Sequence, residues 1–414
     1  MLNEYFNFDM GKKPKLLVLA TTFPRWRGDT EPGFIYELSR RMTKKYDVIV
    51  LVPHCKNSKC FENIAGLKVK RFRYFYPDSL EKLCYGGGII QNIKSNPALR
   101  MIIPFMVAAE FFAALRIVIK EKIDIVHAHW IVPQGFVAAI IKKITGVRYI
   151  ATAHAGDVFP LKSGFMKSAA RFVLRNSSYC TANSAYTKKN LINIGGTDRI
   201  KIIPMGVDLK RFSSSKSSSS LKKKIDAKQI ILSVGRLAEK KGIIYLITAM
   251  PMILKKFPKA KLVIAGDGSE RQSLERKVKE MGVDNNVIFA GNVKNSELPV
   301  YYSSADVFAG PSIITKNGDT EGLGVVFLES IAAGTPVIGS NVGGIPDIII
   351  HGKTGLLVEQ KSPQEIADSV IKILSNKNLA KNLIKNAKNH ISKKYSWDTI
   401  EKEFSELIVN TFKY

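Results

Sequence analysis

Two carboxylates, Glu321 and Glu329, flank a pair of glycines in the segment EGLGVVFLE at 321–329, just after Asp319 and Thr320. Gly322 and Gly324 stand where a loop would turn into a helix, with Leu323 between them and Val325 behind. The bare N–H groups of a helix N-terminus bind anions, and glycine lets a phosphate or sugar approach the backbone. At about 1.5 Å per residue, the two carboxylates would lie roughly 12 Å apart along the helix. Each could accept hydrogen bonds from a different polyol, and a nucleotide sugar offers two, a hexose and a ribose. A glycine-rich helix start with two solvated glutamates fits the same spacing.

Other segments carry related chemistry. In SVGRLAEKKG (233–242), Arg236 and Lys241 could clamp a pyrophosphate between them; a solvated basic loop reads the same way. AGDGS (265–269) places Gly266 and Gly268 in a strand-end loop that could lie close to a base or ribose, or be an ordinary turn. In AHAGDV (153–158), His154 ends a strand and could bond a sugar hydroxyl or share in proton movement, unless it is a core histidine. His127 and His129, in DIVHAHW, read as structural, and their spacing with Asp157 does not make a metal site. In the loop TTFPRWRGDTEPGF (21–34), Gly33 sits near a helix start while Arg25 and Arg27 add positive charge. The basic and aromatic residues of KVKRFRYFY (68–76) fit a stacking strip, a membrane-interface strand or an ordinary strand with a solvated face.

The elements that must position these groups alternate. Strands are expected at 15–22, 46–52, 123–127, 148–154, 178–182 and 201–204, with helices at 34–45 and 135–145 among them. After the low-complexity run SSSKSSSSLKKK (213–224), read as a flexible surface linker, the pattern restarts. Strands follow at 229–234, 261–265, 287–290, 307–309, 336–339 and 355–358, with helices at 243–257 and 270–281. Such alternation predicts two α/β units, each a parallel sheet covered on both faces, with ligands at the carboxyl ends of the strands. The 414 residues suit two or three domains.

Charge narrows the partners. The net charge is +28, with +19 in residues 1–212 and +9 in 213–414. A basic first half suits nucleic acid, a membrane surface or a phosphorylated substrate, and also plain solubility. Four cysteines without a CxxC pair exclude a disulfide scaffold and read as reduced thiols. Met1–Lys13 lacks the apolar core of a signal peptide. The apolar stretch 101–119 contains Pro104, Glu110 and Arg116, which argues for a core or membrane-surface helix rather than a span.

In their order along the chain, these motifs resemble family 4 glycosyltransferases of the GT-B fold. The likeness runs from TTFPRWRGD, DIVHAHW and TAHAGD through IPMGVD (203–208), SVGRL…KKG, AGDGS and Glu321…Glu329 to GGIPD, HGKTGLLV and YSWD. It implies an N-terminal Rossmann-like acceptor domain at 1–205, a linker at 206–224, a nucleotide-sugar domain at 225–395, and a helix at 396–414 that returns to the first domain. It further implies retaining transfer of a hexose-type sugar, without a divalent metal, from a UDP- or GDP-sugar. The acceptor would be a glycan, a lipid-linked group or a small molecule, in cell-surface polysaccharide or glycolipid synthesis.

The resemblance also implies residue roles. Arg236 and Lys241 match the family's phosphate-binding pair, Glu329 the ribose carboxylate and Glu321 the carboxylate facing the donor sugar. Gly322–Val325 match the sugar and phosphate cradle, and His154 matches the histidine that reaches the donor sugar. Gly33 matches a loop glycine, although Pro32 stands where the family often has a second one. A cytoplasmic enzyme, peripheral on an anionic membrane through residues such as Arg40, Arg41, Lys44 and Lys45, suits this picture. The competing readings are an epimerase or phosphorylase on the same fold, or a non-enzymatic basic protein that binds nucleic acid. No nucleic-acid module is recognisable, so no nucleic-acid partner is expected.

Overall fold

A computed structural model describes residues 13–26, 29, 33–158, 161, 164–213 and 219–413. The expectations for the extreme N-terminus, for Arg27 and for 214–218 lie outside the described residues. The chain divides into two compact units, Met1–Ile203 with Ile400–Tyr414, and Pro204–Thr399.

The first unit carries an eight-stranded sheet. Its strands are β1 (Lys15–Leu19), β2 (Asp47–Pro53), β3 (Phe61–Ile64), β4 (Leu67–Phe72), β5 (Ile125–His129), β6 (Arg148–Ala153), β7 (Tyr179–Ala182) and β8 (Ile200–Ile202). They lie in the order β3-β4-β2-β1-β5-β6-β7-β8, all parallel except the β3–β4 pair. Leu16–Leu19 and the whole of β5 are buried, as central strands covered on both faces require. The basic–aromatic run 68–76 resolves into β4. Its Lys68 and Lys70 face out and pair with Asp47 (2.8 Å) and Glu121 (3.0 Å), while Val69 and Phe72 face in.

The second unit carries six parallel strands: β9 (Gln229–Val234), β10 (Ala260–Ala265), β11 (Val287–Gly291), β12 (Val307–Gly310), β13 (Val337–Ser340) and β14 (Leu356–Val358). Their order is β11-β10-β9-β12-β13-β14, the reversal after β9 marking a switch point at the strand ends. Both units are therefore Rossmann-like.

Two expectations change. The described residues 206–213 and 219–224 of the expected linker belong to the second unit. Val207 bridges Ser396. Helices form at Leu209–Ser213 and Ser219–Lys224, and Lys222 bonds Asp306 (2.7 Å), which also accepts the Ile230 N–H at the start of β9. The basic cluster Arg40, Arg41, Lys44 and Lys45, on and just after the Phe34–Met42 helix, is partly neutralised: Arg40 and Arg41 share Glu37, and Lys45 pairs with Glu401 (3.0 Å). The terminal helix Trp397–Thr411 runs into the first unit. There Phe404 packs on His127 (ring centroids 5.0 Å apart) and the Thr411 carbonyl accepts from Arg148 (2.7 Å).

Candidate functional site

In the second unit the chemistry gathers at the ends of β9, β10 and β12. β9 runs into a turn at Gly235, then Arg236, a short helical turn Glu239–Lys241, and the helix Ile243–Lys256. Gly266 and Gly268 bind this turn to the next loop. A Cβ on Gly266 would stand 2.0 Å from the Gly235 carbonyl oxygen, and one on Gly268 2.4 Å from that of Leu237. The missing side chains thus let two loops touch, where the sequence offered either an approach to a base or ribose or an ordinary turn. Leu237 N–H donates to the Asp267 carbonyl (2.9 Å) and locks the contact.

Lys241 is fixed by that turn, and its Nζ pairs with Glu321 Oε2. Both line a recess with Ser233, Gly310, Ser312 and Phe327. Burial pushes the Glu321 carboxyl up, yet Lys241, Lys240 and the Gly322 N–H together hold it below the usual carboxylate range. The Glu321 carbonyl accepts from Gly344 N–H (3.0 Å), so the GGIPD segment anchors its backbone. Arg236 is exposed on the turn.

The helix after Glu321 begins at Val325 and ends at Ala333, so Glu321 and Gly322 precede it and Glu329 lies just over one turn inside. Gly324 caps it at φ +87°, a left-handed conformation that favours glycine. Leu323 is buried beneath. No side chain caps this helix, which leaves its first N–H groups for an anion.

Glu329 has a partner that the sequence did not disclose. Tyr302 donates its hydroxyl to Glu329 Oε2 (2.8 Å). Burial pushes the Glu329 carboxyl up to about 7, against the pull of the Tyr302 bond and of Arg211. Phe212, beside Arg211, packs edge-on against the Tyr302 ring (5.8 Å). A carboxylate is the better acceptor for a vicinal diol, so donor affinity is expected to rise as pH climbs through about 7. Glu329→Gln is expected to weaken donor binding about tenfold, the range of one charged hydrogen bond, and to flatten that pH dependence. Its stability effect has the opposite sense. A raised carboxyl stabilises fully below its unfolded value and loses that contribution as pH rises through about 7. The variant should therefore melt higher than the parent on the alkaline side only. Calorimetric titration with nucleoside diphosphates and melting curves across pH check both; a pH dependence preserved in the variant contradicts the assignment.

The first unit brings its own cluster together. His154 follows β6 in a tight turn through Ala155 (φ +71°). Asp157 accepts the His154 N–H on Oδ1 and the Ile131 N–H on Oδ2, both at 2.9 Å, tying the ends of two strands. Burial pushes the Asp157 carboxyl up to about 6 despite these bonds. The His154 ring packs against Phe34 (4.9 Å) and Trp130 (5.3 Å). Phe34 directly follows Gly33, the N-cap of the Phe34–Met42 helix, so that helix start lies beside His154.

His129 Nδ1 and His154 Nε2 are 3.1 Å apart, and His129 Nε2 is buried without a partner. A buried N–H left unpaired costs more than a buried lone pair. The favoured arrangement has His129 Nδ1–H donate to His154 Nε2, which leaves His154 Nδ1 carrying its proton. Burial, with the neighbouring His127, lowers His154 to about 3, so the ring is neutral at working pH. His127 is likewise lowered to about 3 by burial and bonds Thr152 Oγ1 (2.7 Å), the structural place expected of it. Among the described residues, no three His, Cys, Asp or Glu side chains are placed to hold a metal ion.

Comparison with known proteins decides the family. Residues 34–211 match Glycosyltransferase Family 4, and residues 216–390 match the glycosyl transferases group 1. An uncharacterised glycosyltransferase of Methanocaldococcus jannaschii is 34% identical over 368 residues, 85% of this chain and 86% of its own. The chain belongs to glycosyltransferase family 4. A second relative of the enzyme is the GDP-mannose-dependent alpha-(1-6)-phosphatidylinositol monomannoside mannosyltransferase of Mycobacterium tuberculosis, 31% identical over 71% of this chain and 77% of that one. Among solved structures, sucrose-phosphate synthase from Thermosynechococcus elongatus superposes with a TM-score of 0.78 at 22% identity, covering 97% of this chain and all of that one. This likeness shows the fold, which is GT-B. The glycosyltransferase draws on a nucleotide-sugar donor.

The motifs of this enzyme located Lys241, Glu321, Gly324 and Glu329 in one unit and Gly33 and His154 in the other. They gave no sign of Tyr302, which sits in the unremarkable run LPVYYSS, or of the bond from His129 to His154.

Proposed function

We propose that this enzyme is a retaining, metal-independent hexosyltransferase that moves a sugar from a UDP- or GDP-sugar to a lipid-linked or glycan acceptor in cell-surface polysaccharide or glycolipid synthesis. The observation that carries the reading is the Lys241–Glu321 ion pair beside the uncapped helix start at Gly324. It sets a fixed cation, a sugar-facing carboxylate and free N–H groups around one recess.

Donor binding exchanges the ion pair. The diphosphate takes Lys241 and Arg236, and Glu321 turns to the sugar hydroxyls. As the glycosidic bond to phosphate breaks, the two cations and the helix N–H groups stabilise the developing diphosphate charge, the role a metal ion plays elsewhere. The acceptor hydroxyl attacks the anomeric carbon on the face the diphosphate leaves, and a diphosphate oxygen takes its proton. Configuration is thereby retained without an enzyme nucleophile. His154, a neutral N–H donor, supports a sugar hydroxyl. The Mycobacterium tuberculosis relative, named for a phosphatidylinositol monomannoside, and the +19 charge of residues 1–212 support the acceptor class.

Proton NMR of the first-formed product tests the stereochemistry. An α-linked product from an α-linked donor agrees with the proposal, and a β-linked product overturns it.

A further inference from the structure

The helix Ile103–Glu121 is apolar on its outward face as well as on its buried one. With the turn before it, it forms a 25-residue element, Pro97–Glu121, long and apolar enough to cross a membrane. Yet its one mid-helix acid points inward. Glu110 is fully buried, and both its oxygens accept from Gln134 Nε2 (3.2 and 3.1 Å). Met106, Ala114, Ile117 and Val118 share that buried face. The outward face carries Met101, Phe105, Phe112 and Ile119, which are 77%, 58%, 67% and 63% exposed. The last three recur every seven residues and so fall on one stripe.

The residues around this stripe are basic. Arg100 precedes it, and Arg116 and Lys120 lie near its far end, all exposed and engaged in no ion pair among the described residues. No acidic side chain interrupts it between Met101 and Lys120 except the buried Glu110. A contiguous apolar face of this size on a soluble unit marks a contact surface. The flanking charge selects the occupant: apolar side chains entering the headgroup boundary with lysine and arginine at anionic headgroups describe an interfacial helix. The core contacts of Met106, Glu110 and Ala114 hold the helix flat against its own unit, so it lies on a bilayer and does not cross it.

We infer that the exposed face of Ile103–Glu121, with Arg100, Arg116 and Lys120, docks the enzyme onto the surface of an anionic lipid bilayer. The inference rests on the lipid-linked acceptor reading for its purpose, and vesicle binding separates the two because it is read without turnover. It also moves the main membrane contact away from Arg40, Arg41, Lys44 and Lys45, where Glu37 and Glu401 offset part of the charge.

The test is sedimentation of the full chain with vesicles of phosphatidylcholine alone or mixed with phosphatidylglycerol. Binding to the anionic vesicles is expected to be at least about tenfold tighter, at about fivefold per basic residue at the surface. The pair Phe105→Glu and Phe112→Glu should lose about tenfold or more, with only a small fall in melting temperature, since Phe112 is mostly exposed and Phe105 gives up one edge contact with Phe75 (ring centroids 5.6 Å apart). The pair Phe105→Ala and Phe112→Ala serves if the charged variant fails to fold. Arg116→Glu with Lys120→Glu should lose affinity and flatten its salt dependence. Parent-like binding by these variants, or no preference for anionic vesicles, overturns the inference. So does a concentration-dependent dimer that the Phe105 and Phe112 substitutions abolish, which would assign the face to a second copy.

Discussion

Lys241→Ala is expected to lower kcat by about 10²–10³-fold, the range seen when one preorganised charge or donor is removed from a developing anion. Lys241 earns this weight from its position. The turn after β9 is locked to the next loop through Gly266 and Gly268, so the ammonium is held in place before the donor arrives. Its present partner, Glu321, supplies a second signature. Lys241 is a main reason that the Glu321 carboxyl lies below the usual range, and in the variant only Lys240 and the Gly322 N–H remain to offset the burial that pushes that carboxyl up. The rate of Lys241→Ala should therefore acquire a further acid limb beside that of Glu329, since protonated Glu321 is a poorer acceptor for sugar hydroxyls. Steady-state kinetics across pH reads both effects. A variant with full kcat and only a raised KM would mean that Lys241 binds the ground state and does nothing for the transition state.

His154→Ala should cost about 10²-fold in kcat, the lower end for loss of one preorganised hydrogen-bond donor. Its pH signature is an absence. The ring is held neutral by burial, with a value of about 3, so it contributes no limb near neutrality. The limb near 7 belongs to Glu329 and should vanish in Glu329→Gln while surviving in His154→Asn. His129→Ala removes the N–H that fixes the His154 tautomer, and about a tenfold loss in kcat with little change in donor KM is expected. His129→Asn, which keeps a donor, should recover part of it. A neutral-pH limb that disappears in His154→Asn would show that His154 titrates during turnover and would overturn the neutral-donor assignment.

The strand–helix alternation was legible because parallel strands buried on both faces are written as short apolar runs, as in KLLVL of β1 and QIILSV of β9. β3 was not legible. FENI is four residues long at a sheet edge, with two of them exposed, and carries too little pattern. The Ser/Lys run at 213–224 has the composition of coil, and it is tertiary contacts, among them the bond from Lys222 to Asp306 and the packing of Ser219–Lys224 on Leu298–Ser304, that tie its far end to the second unit. The neutralisation of Arg40 and Arg41 could have been read, since Glu37 stands three and four residues before them on one helix face.

In the site, groups that act through residue type at a strand end were visible: Lys241, Glu321, His154. Groups that act through a neighbour distant in sequence were not. Tyr302 reaches Glu329 across 27 residues, and His129 reaches His154 across 25. The glycines of AGDGS show the converse. Their presence was plain, but what approaches them, the backbone at 235–237, appears only in three dimensions. The Ile103–Glu121 helix likewise reads by composition as either core or membrane-surface, and its exposed phenylalanines show which face is outward.

The most direct test of the central claim is nucleoside diphosphate release from UDP-, GDP- and ADP-sugars, with EDTA present and an anionic lipid extract as acceptor source, for the parent and Lys241→Ala. The account predicts release from one donor, unaffected by EDTA and lowered about 10²-fold or more in the variant. Release that stops with EDTA and returns with a divalent cation, or that proceeds equally in Lys241→Ala, would contradict it.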